Sequence, residues 1–197
     1  MQTEIEIKFL DIDPTLIRQK LREIGGKLIY PERFMKRKNF DYPDKRLEKI
    51  GGWVRLRDEG DKATLSYKQL DDRTLHGTKE IPLEVDNFGK TENFLAAIGL
   101  SAFAYQETKR EKWTLGHTDI TIDTWPWIPM FIEIEGLDEK TLREVVDKLG
   151  LDWSKGIHGS VEIAYQNYFD VRDEDIYGAD SITFGPVPEW LEAKRRK

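Results

Sequence analysis

The stretch TEIEIKF, Thr3 to Phe9, decides the fold. Read as a strand, its side chains alternate: Ile5, Ile7 and Phe9 share one face, and Glu4, Glu6 and Lys8 share the other. The apolar face suits a core. The other crowds two carboxylates and an ammonium into a few ångströms, where like charges repel and exposed pairs gain little. Either that face is ordinary solvated surface, or it looks into a cavity that holds metal and anion.

The same alternation returns along the chain. In WVRLRD, Arg55 and Arg57 lie opposite Val54 and Leu56; in ATLSYKQ, Lys68 lies with Thr64 and Ser66 opposite Leu65 and Tyr67. In TDITID, Asp119, Thr121 and Asp123 oppose Ile120 and Ile122, and in FIEIEG, Glu133 and Glu135 oppose Ile132 and Ile134. Each pattern alone fits a half-buried antiparallel strand with one wet face. Together the charges separate by sign: acids near both ends of the domain, bases in the middle and at TKREKW, with Arg110 and Lys112. A solvated surface mixes signs, whereas a closed barrel with a polar lumen gathers bases for an anion and carboxylates for its cations. Closure also removes exposed edges. The expectation is an α+β fold, a closed eight-stranded antiparallel β-barrel with a charged lumen and helices packed outside.

Three helices punctuate the strands. DIDPTLIRQKLREIGG offers Asp13 as N-cap and Pro14 at the first position, with Leu16, Ile17, Leu21 and Ile24 on one side and Gly25 and Gly26 as the stop. NFGKTENFLAAIGL ends at Gly99, and DEKTLREVVDKLG runs from Asp138 to Gly150. EIEIKF, EIPLEV and FIEIEG each precede an Asp-containing turn and a helix, a loose strand-then-helix echo. Residues 1–170 read as one domain, and residues 171–197 as a tail or short C-terminal helix packing through Trp190 and Leu191.

The chain has 197 residues, 31 Lys and Arg against 37 Asp and Glu, and a net charge of -6, which argues against broad nucleic-acid affinity yet permits a local basic pocket. With no cysteine and three scattered histidines, thiolate and zinc sites fall away, and any metal needs carboxylates, as magnesium, manganese or calcium does. No signal-like or membrane-length apolar run is present, so the expectation is a cytoplasmic protein that does not enter a membrane. His158 and Ser160 have no acid placed beside them and suggest no triad. Trp113, Trp125 and Trp127 read as packing or mouth aromatics.

A polyphosphate needs this mixture of charges. Arg forks bind phosphate oxygens, Lys acts as a movable point charge, and carboxylate-held Mg²⁺ or Mn²⁺ resolves the repulsion between acids and phosphate. Glu4-x-Glu6-x-Lys8 resembles the ExExK signature of the CYTH domain, or triphosphate tunnel metalloenzyme, family. The likeness continues in order through NFDYPDKRLEKIGGWVRLR, ATLSYKQ, TKREKW, TIDTW and FIEIEG, over roughly residues 1–170. It implies an eight-stranded tunnel that binds a small-molecule triphosphate with Mg²⁺ or Mn²⁺, in a monomer or homodimer. By the same resemblance Glu4, Glu6, Glu133 and Glu135 supply metal ligands, and Lys8, Arg55, Arg57, Lys68 and Arg110 grip phosphates. Glu4, Glu6, Asp123 and Lys68 form the catalytic set, with Asp123 orienting a base or a metal-bound water; either Glu80 or Glu84 adds an acid.

Two positions depart from the family pattern. Thr108 stands where members often carry a lysine, so Lys109 or Lys112 substitutes or phosphate affinity is lower; Asn39 stands where a tyrosine is common. Asp119 is expected to face solvent at a hairpin mouth. The leading functional expectation is a metal-dependent triphosphatase acting on inorganic tripolyphosphate. The alternatives are a class IV-type adenylyl cyclase making cyclic AMP from ATP, and a non-catalytic polyphosphate or nucleotide sensor.

Overall fold

In the computed structural model, which describes residues 1–197, nine strands form one sheet. They are β1 (Gln2–Phe9), β2 (Lys27–Asp41), β3 (Gly52–Asp58), β4 (Ala63–Leu70), β5 (Thr78–Val85), β6 (Ser101–Leu115), β7 (Thr118–Thr124), β8 (Phe131–Gly136) and β9 (Ser181–Ile182). The order is β2-β3-β4-β5-β1-β8-β7-β6, and β6 pairs again with β2, so eight antiparallel strands close into a barrel. The ninth runs parallel to β6 at Tyr105 and Gln106.

The outward alternation builds the core. Ile7, Phe9, Ile120, Ile122, Ile132 and Ile134 pack under helices α1 (Pro14–Glu23) and α3 (Glu139–Leu149), through Ile17, Leu21, Leu142, Val145 and Val146. Asp13 caps α1 by accepting from the Thr15 and Leu16 amides at 2.8 and 3.2 Å, and Asp138 caps α3 through Thr141 at 2.7 Å. Leu16, expected on the buried side, is 46% exposed, because it sits about 100° round the helix from Ile17. Gly150 ends α3 with φ 67°, a left-handed conformation that favours glycine. Helix α2 (Phe88–Ala97) covers β3 through Leu95. The three strands of the sequence echo are neighbours, β5-β1-β8, each followed by a helix.

The chain beyond α3 makes a second core. Residues of α4 (Glu162–Tyr168), α5 (Asp173–Tyr177), β9 and α6 (Glu189–Glu192) bury Ala164, Tyr165, Phe169, Val171, Ile176, Ile182 and Leu191 against Trp125 and Phe131. Of the pair expected to anchor the C-terminus, Leu191 is buried while Trp190 is 43% exposed. Ile157 exchanges two 2.9 Å backbone hydrogen bonds with Lys8, so this segment is laid across the end of the barrel where β1 finishes. Gly156 permits that approach: a Cβ there would meet the Ile7 side chain at 2.1 Å. Ile176→Ala is expected to lower unfolding free energy by about 2–5 kcal/mol, measured by urea denaturation, because the side chain is fully buried in this second core.

Candidate functional site

Inside the barrel the charges form two contiguous halves. Strands β6-β2-β3-β4 contribute Arg110, Arg33, Arg37, Arg55, Arg57 and Lys68; strands β5-β1-β8-β7 contribute Glu80, Glu4, Glu6, Glu133, Glu135 and Asp119. They line one cavity of about 790 Å³. Register sets like charges directly opposite each other within each half. Arg37 faces Arg57 and Arg33 faces Arg110, while Glu135 has Glu6 on one side and Asp119 on the other. Such pairs are unfavourable between neighbouring strands unless a counter-charge meets them.

On the acidic half, Lys8 Nζ lies 2.6 Å from Glu6 and 3.1 Å from Glu133. Burial opposes its charge, but Glu133 and Glu6 outweigh that and push the ammonium above its usual range. Burial likewise opposes ionisation of Glu133, yet Lys8 and Arg110 hold it well below the carboxylate range. Lys68 Nζ reaches Glu4 at 2.7 Å and Glu80 at 3.9 Å. Burial, only partly offset by Lys68, pushes Glu4 up to about 8, whereas Glu80, against its own burial, is held below the carboxylate range by Lys68 and Arg55. Glu135 has no cation within ion-pair distance; burial, then Glu133 and Glu6, raise its pKa.

On the basic half, Arg110 forks onto Asp123 at 2.6 and 2.9 Å and reaches Glu133 at 3.4 Å. Arg55 pairs with Glu80 at 3.2 Å and Arg57 with Glu59 at 2.5 Å. Burial, then Arg55 and Arg110, lower Arg57 to about 10 despite Glu59. Arg33 stacks on Tyr30 and pairs with Asp61 at 2.5 Å, at the end that also carries Lys62 and the Lys112–Asp119 pair (2.6 Å). At the other end Ser160, Glu162, Asp173, Glu174 and Tyr177 of the C-terminal segment complete the wall.

The structure therefore brings Glu4, Glu6, Lys8, Arg55, Arg57, Lys68, Arg110, Glu133 and Glu135 to one cavity, with Asp123 buried beneath Arg110. Asp123 also accepts from the Thr121 hydroxyl at 2.8 Å, so its oxygens are committed to holding Arg110. Of the two alternatives in β5, Glu80 faces inward and Glu84 is turned out, its side chain 67% exposed. Asp119, expected to face solvent at a hairpin mouth, has its side chain 45% exposed and also borders the cavity mouth. Lys109 does not replace the cation missing at Thr108: it lies outside, near Glu32 and Phe184, and Lys112 is at the rim. Trp113 belongs to the outer core and Trp127 packs on Tyr165. The sequence reading missed Arg33, Arg37, Glu59 and Glu162. Counting by twos from Asn39, itself a lining residue, reaches both arginines.

A hard divalent cation fits these donors. The Glu6–Glu135–Asp119 row is all carboxylate oxygen with an uncompensated member, although no three acids converge into a ready-made cage. Mg²⁺ and Mn²⁺ suit such spacing, since they keep waters and take phosphate oxygens beside one or two carboxylates.

A closed antiparallel barrel whose working surface is its charged interior defines a tunnel protein. The match of residues 2–160 to the CYTH domain model shows that the chain belongs to that family. The family covers triphosphatases and adenylyl cyclases, enzymes that bind triphosphate substrates and use divalent metals. No curated protein matches the chain. Among solved structures it is similar to a candidate adenylate cyclase from Vibrio parahaemolyticus (15% identity, TM-score 0.72, covering 84% of this chain and 98% of that one). It is also similar to a Pyrococcus horikoshii OT3 protein (19%, 0.64, 78% and 93%) and to a Hippeastrum adenylyl cyclase candidate described as having a dominant triphosphatase activity (13%, 0.58, 85% and 96%). At these identities the likeness is one of fold. No helix is long and apolar enough to cross a membrane.

The raised pKa of buried Glu4 predicts a pH dependence. With Glu4 raised from 4.5 to about 8, the folded state binds more protons than the unfolded state across that window, so stability falls as pH rises through it. Glu4→Gln, fixed in the neutral form, is expected to gain on the parent between pH 5.5 and 8.5 when Tm values are compared in EDTA.

Proposed function

We propose that this chain is a divalent-metal-dependent triphosphatase, with inorganic tripolyphosphate as its simplest substrate. The observation that carries the reading is the division of one lumen into a basic half facing an acidic half, which suits a polyanion and its counter-cation side by side. Arg55, Arg57 and Arg110, with Lys68 and Lys8, hold the non-bridging oxygens and stabilise charge that grows as the anhydride bond breaks. Asp123 positions Arg110 by its two-point grip. Glu4, Glu6, Glu133 and Glu135 would hold Mg²⁺ or Mn²⁺, which supplies phosphate charge neutralisation and a more acidic water. Glu135, which has no protein cation within ion-pair distance, accepts the proton of the attacking water as the water's oxygen bonds to phosphorus in line and the anhydride bond breaks, its bridging oxygen leaving with pyrophosphate. The absence of a lysine at Thr108 and of a tyrosine at Asn39 counts against a closely matched thiamine triphosphatase.

The test is phosphate release from tripolyphosphate, thiamine triphosphate and ATP with Mg²⁺ or Mn²⁺, with cyclic AMP followed in the ATP arm. Silence in all three rejects hydrolysis, and cyclic AMP without phosphate release assigns a cyclase instead. Arg57→Ala is expected to raise KM for tripolyphosphate about 10- to 100-fold, the worth of a charged hydrogen bond. Glu6→Gln is expected to raise the metal concentration for half-maximal rate about tenfold, read from a metal titration at saturating substrate.

A further inference from the structure

Every cation lining the cavity has a carboxylate within ion-pair distance except one. Arg33, Arg55, Arg57 and Arg110 are matched, as are the lining lysines. Arg37 is not. Its Nε donates to Gln106 Oε1 at 2.8 Å, and its guanidinium lies 4.1 Å from the centre of the Trp125 ring. Its two terminal nitrogens make no hydrogen bond within the protein, and the side chain borders the cavity. Burial, then Arg55, Arg57 and Arg110, hold its pKa well below the usual guanidinium range. The carboxylate that opposes this, Glu162 of α4, lies beyond ion-pair distance, and its Oε2 is buried without a partner.

An anion arriving at Arg55, Arg57 or Arg110 competes with a carboxylate already in place. At Arg37 it displaces none, and the fork is already fixed in plane by an aromatic face and an amide. We propose that Arg37 is the primary anchor for the bound polyphosphate, that Trp125 and Gln106 are its positioning residues, and that Glu162 marks the negative boundary of that seat. Arg37 thereby supplies, from the neighbouring strand, the cation that position 108 lacks: Met35 is the register partner of Thr108, and Arg37 of Gln106. The assignment rests on the triphosphate reading.

Calorimetry of tripolyphosphate binding in EDTA, with no metal present, tests it. Arg37→Gln is expected to weaken binding about 10- to 100-fold, and Arg37→Lys to restore little of it, because an ammonium has neither the fork nor the flat face. Tripolyphosphate is also expected to change tryptophan fluorescence in the parent, and Trp125→Phe to abolish that change. Circular dichroism checks each fold; if Arg37→Gln does not fold, Gln106→Leu, which leaves the guanidinium unbraced, must weaken binding severalfold. Affinity within twofold of the parent in the folded Arg37 variant, or in Gln106→Leu in its place, overturns the assignment while leaving the triphosphate reading intact. A parent with no affinity for tripolyphosphate, thiamine triphosphate or ATP, with or without metal, overturns both.

Discussion

The pairing of β2 with β6 is the constraint on which the site depends. It joins the two ends of the sheet, so that each barrel strand has a neighbour on both sides and the inner side chains are freed from core packing. Without that seam the same strands would carry their ionic faces on an open sheet in water, where exposed pairs are worth under about 1 kcal/mol. With it, the basic strands and the acidic strands become opposite walls of one space, where salt screens them much less. The apolar faces, directed outward, then need cover, which α1, α2 and α3 provide.

The lumen without ligand is almost self-neutralised, and this has an energetic meaning. Buried ion pairs are weak contributors to net stability, while leaving one partner alone costs about 3–5 kcal/mol. Under the proposed function, a cation drawn to Glu6 would weaken one of the two ion pairs of Lys8, and an anion drawn to Arg57 would weaken its pair with Glu59. If the proposed function holds, binding of metal and of polyphosphate in such a lumen is linked, and any change that one makes in the affinity for the other is returned by the same factor.

The barrel was legible because strands such as TEIEIKF and WVRLRD alternate cleanly, which fixes the face of every side chain once one face is known. Arg37 was hidden for a local reason. It sits in Lys36-Arg37-Lys38, where both faces carry charge, so alternation there gives no contrast. Glu162 and Tyr177 belong to helices of seven and five residues, too short for a helical period to stand out; the second of these lies in the stretch 171–197 that read as a tail or short helix. Which strands neighbour which is a property of closure that pattern alone does not carry; the grouping of bases on β6-β2-β3-β4 emerges only from the pairing.

The place of β1 in the barrel also governs how the chain reaches its native state. Its partners are β5 and β8, so Glu6 leaves the ribosome long before Glu135, opposite which it comes to rest. Several hairpins, such as β3-β4 and β6-β7, close locally, but the first strand waits for the eighth. Such non-local pairing puts assembly in the slow regime of sheet proteins, milliseconds to seconds. Until the ring closes, the nascent chain holds an alternating strand whose carboxylates keep it hydrated, and the acids that line the finished tunnel guard the unfinished one against sticking to its neighbours.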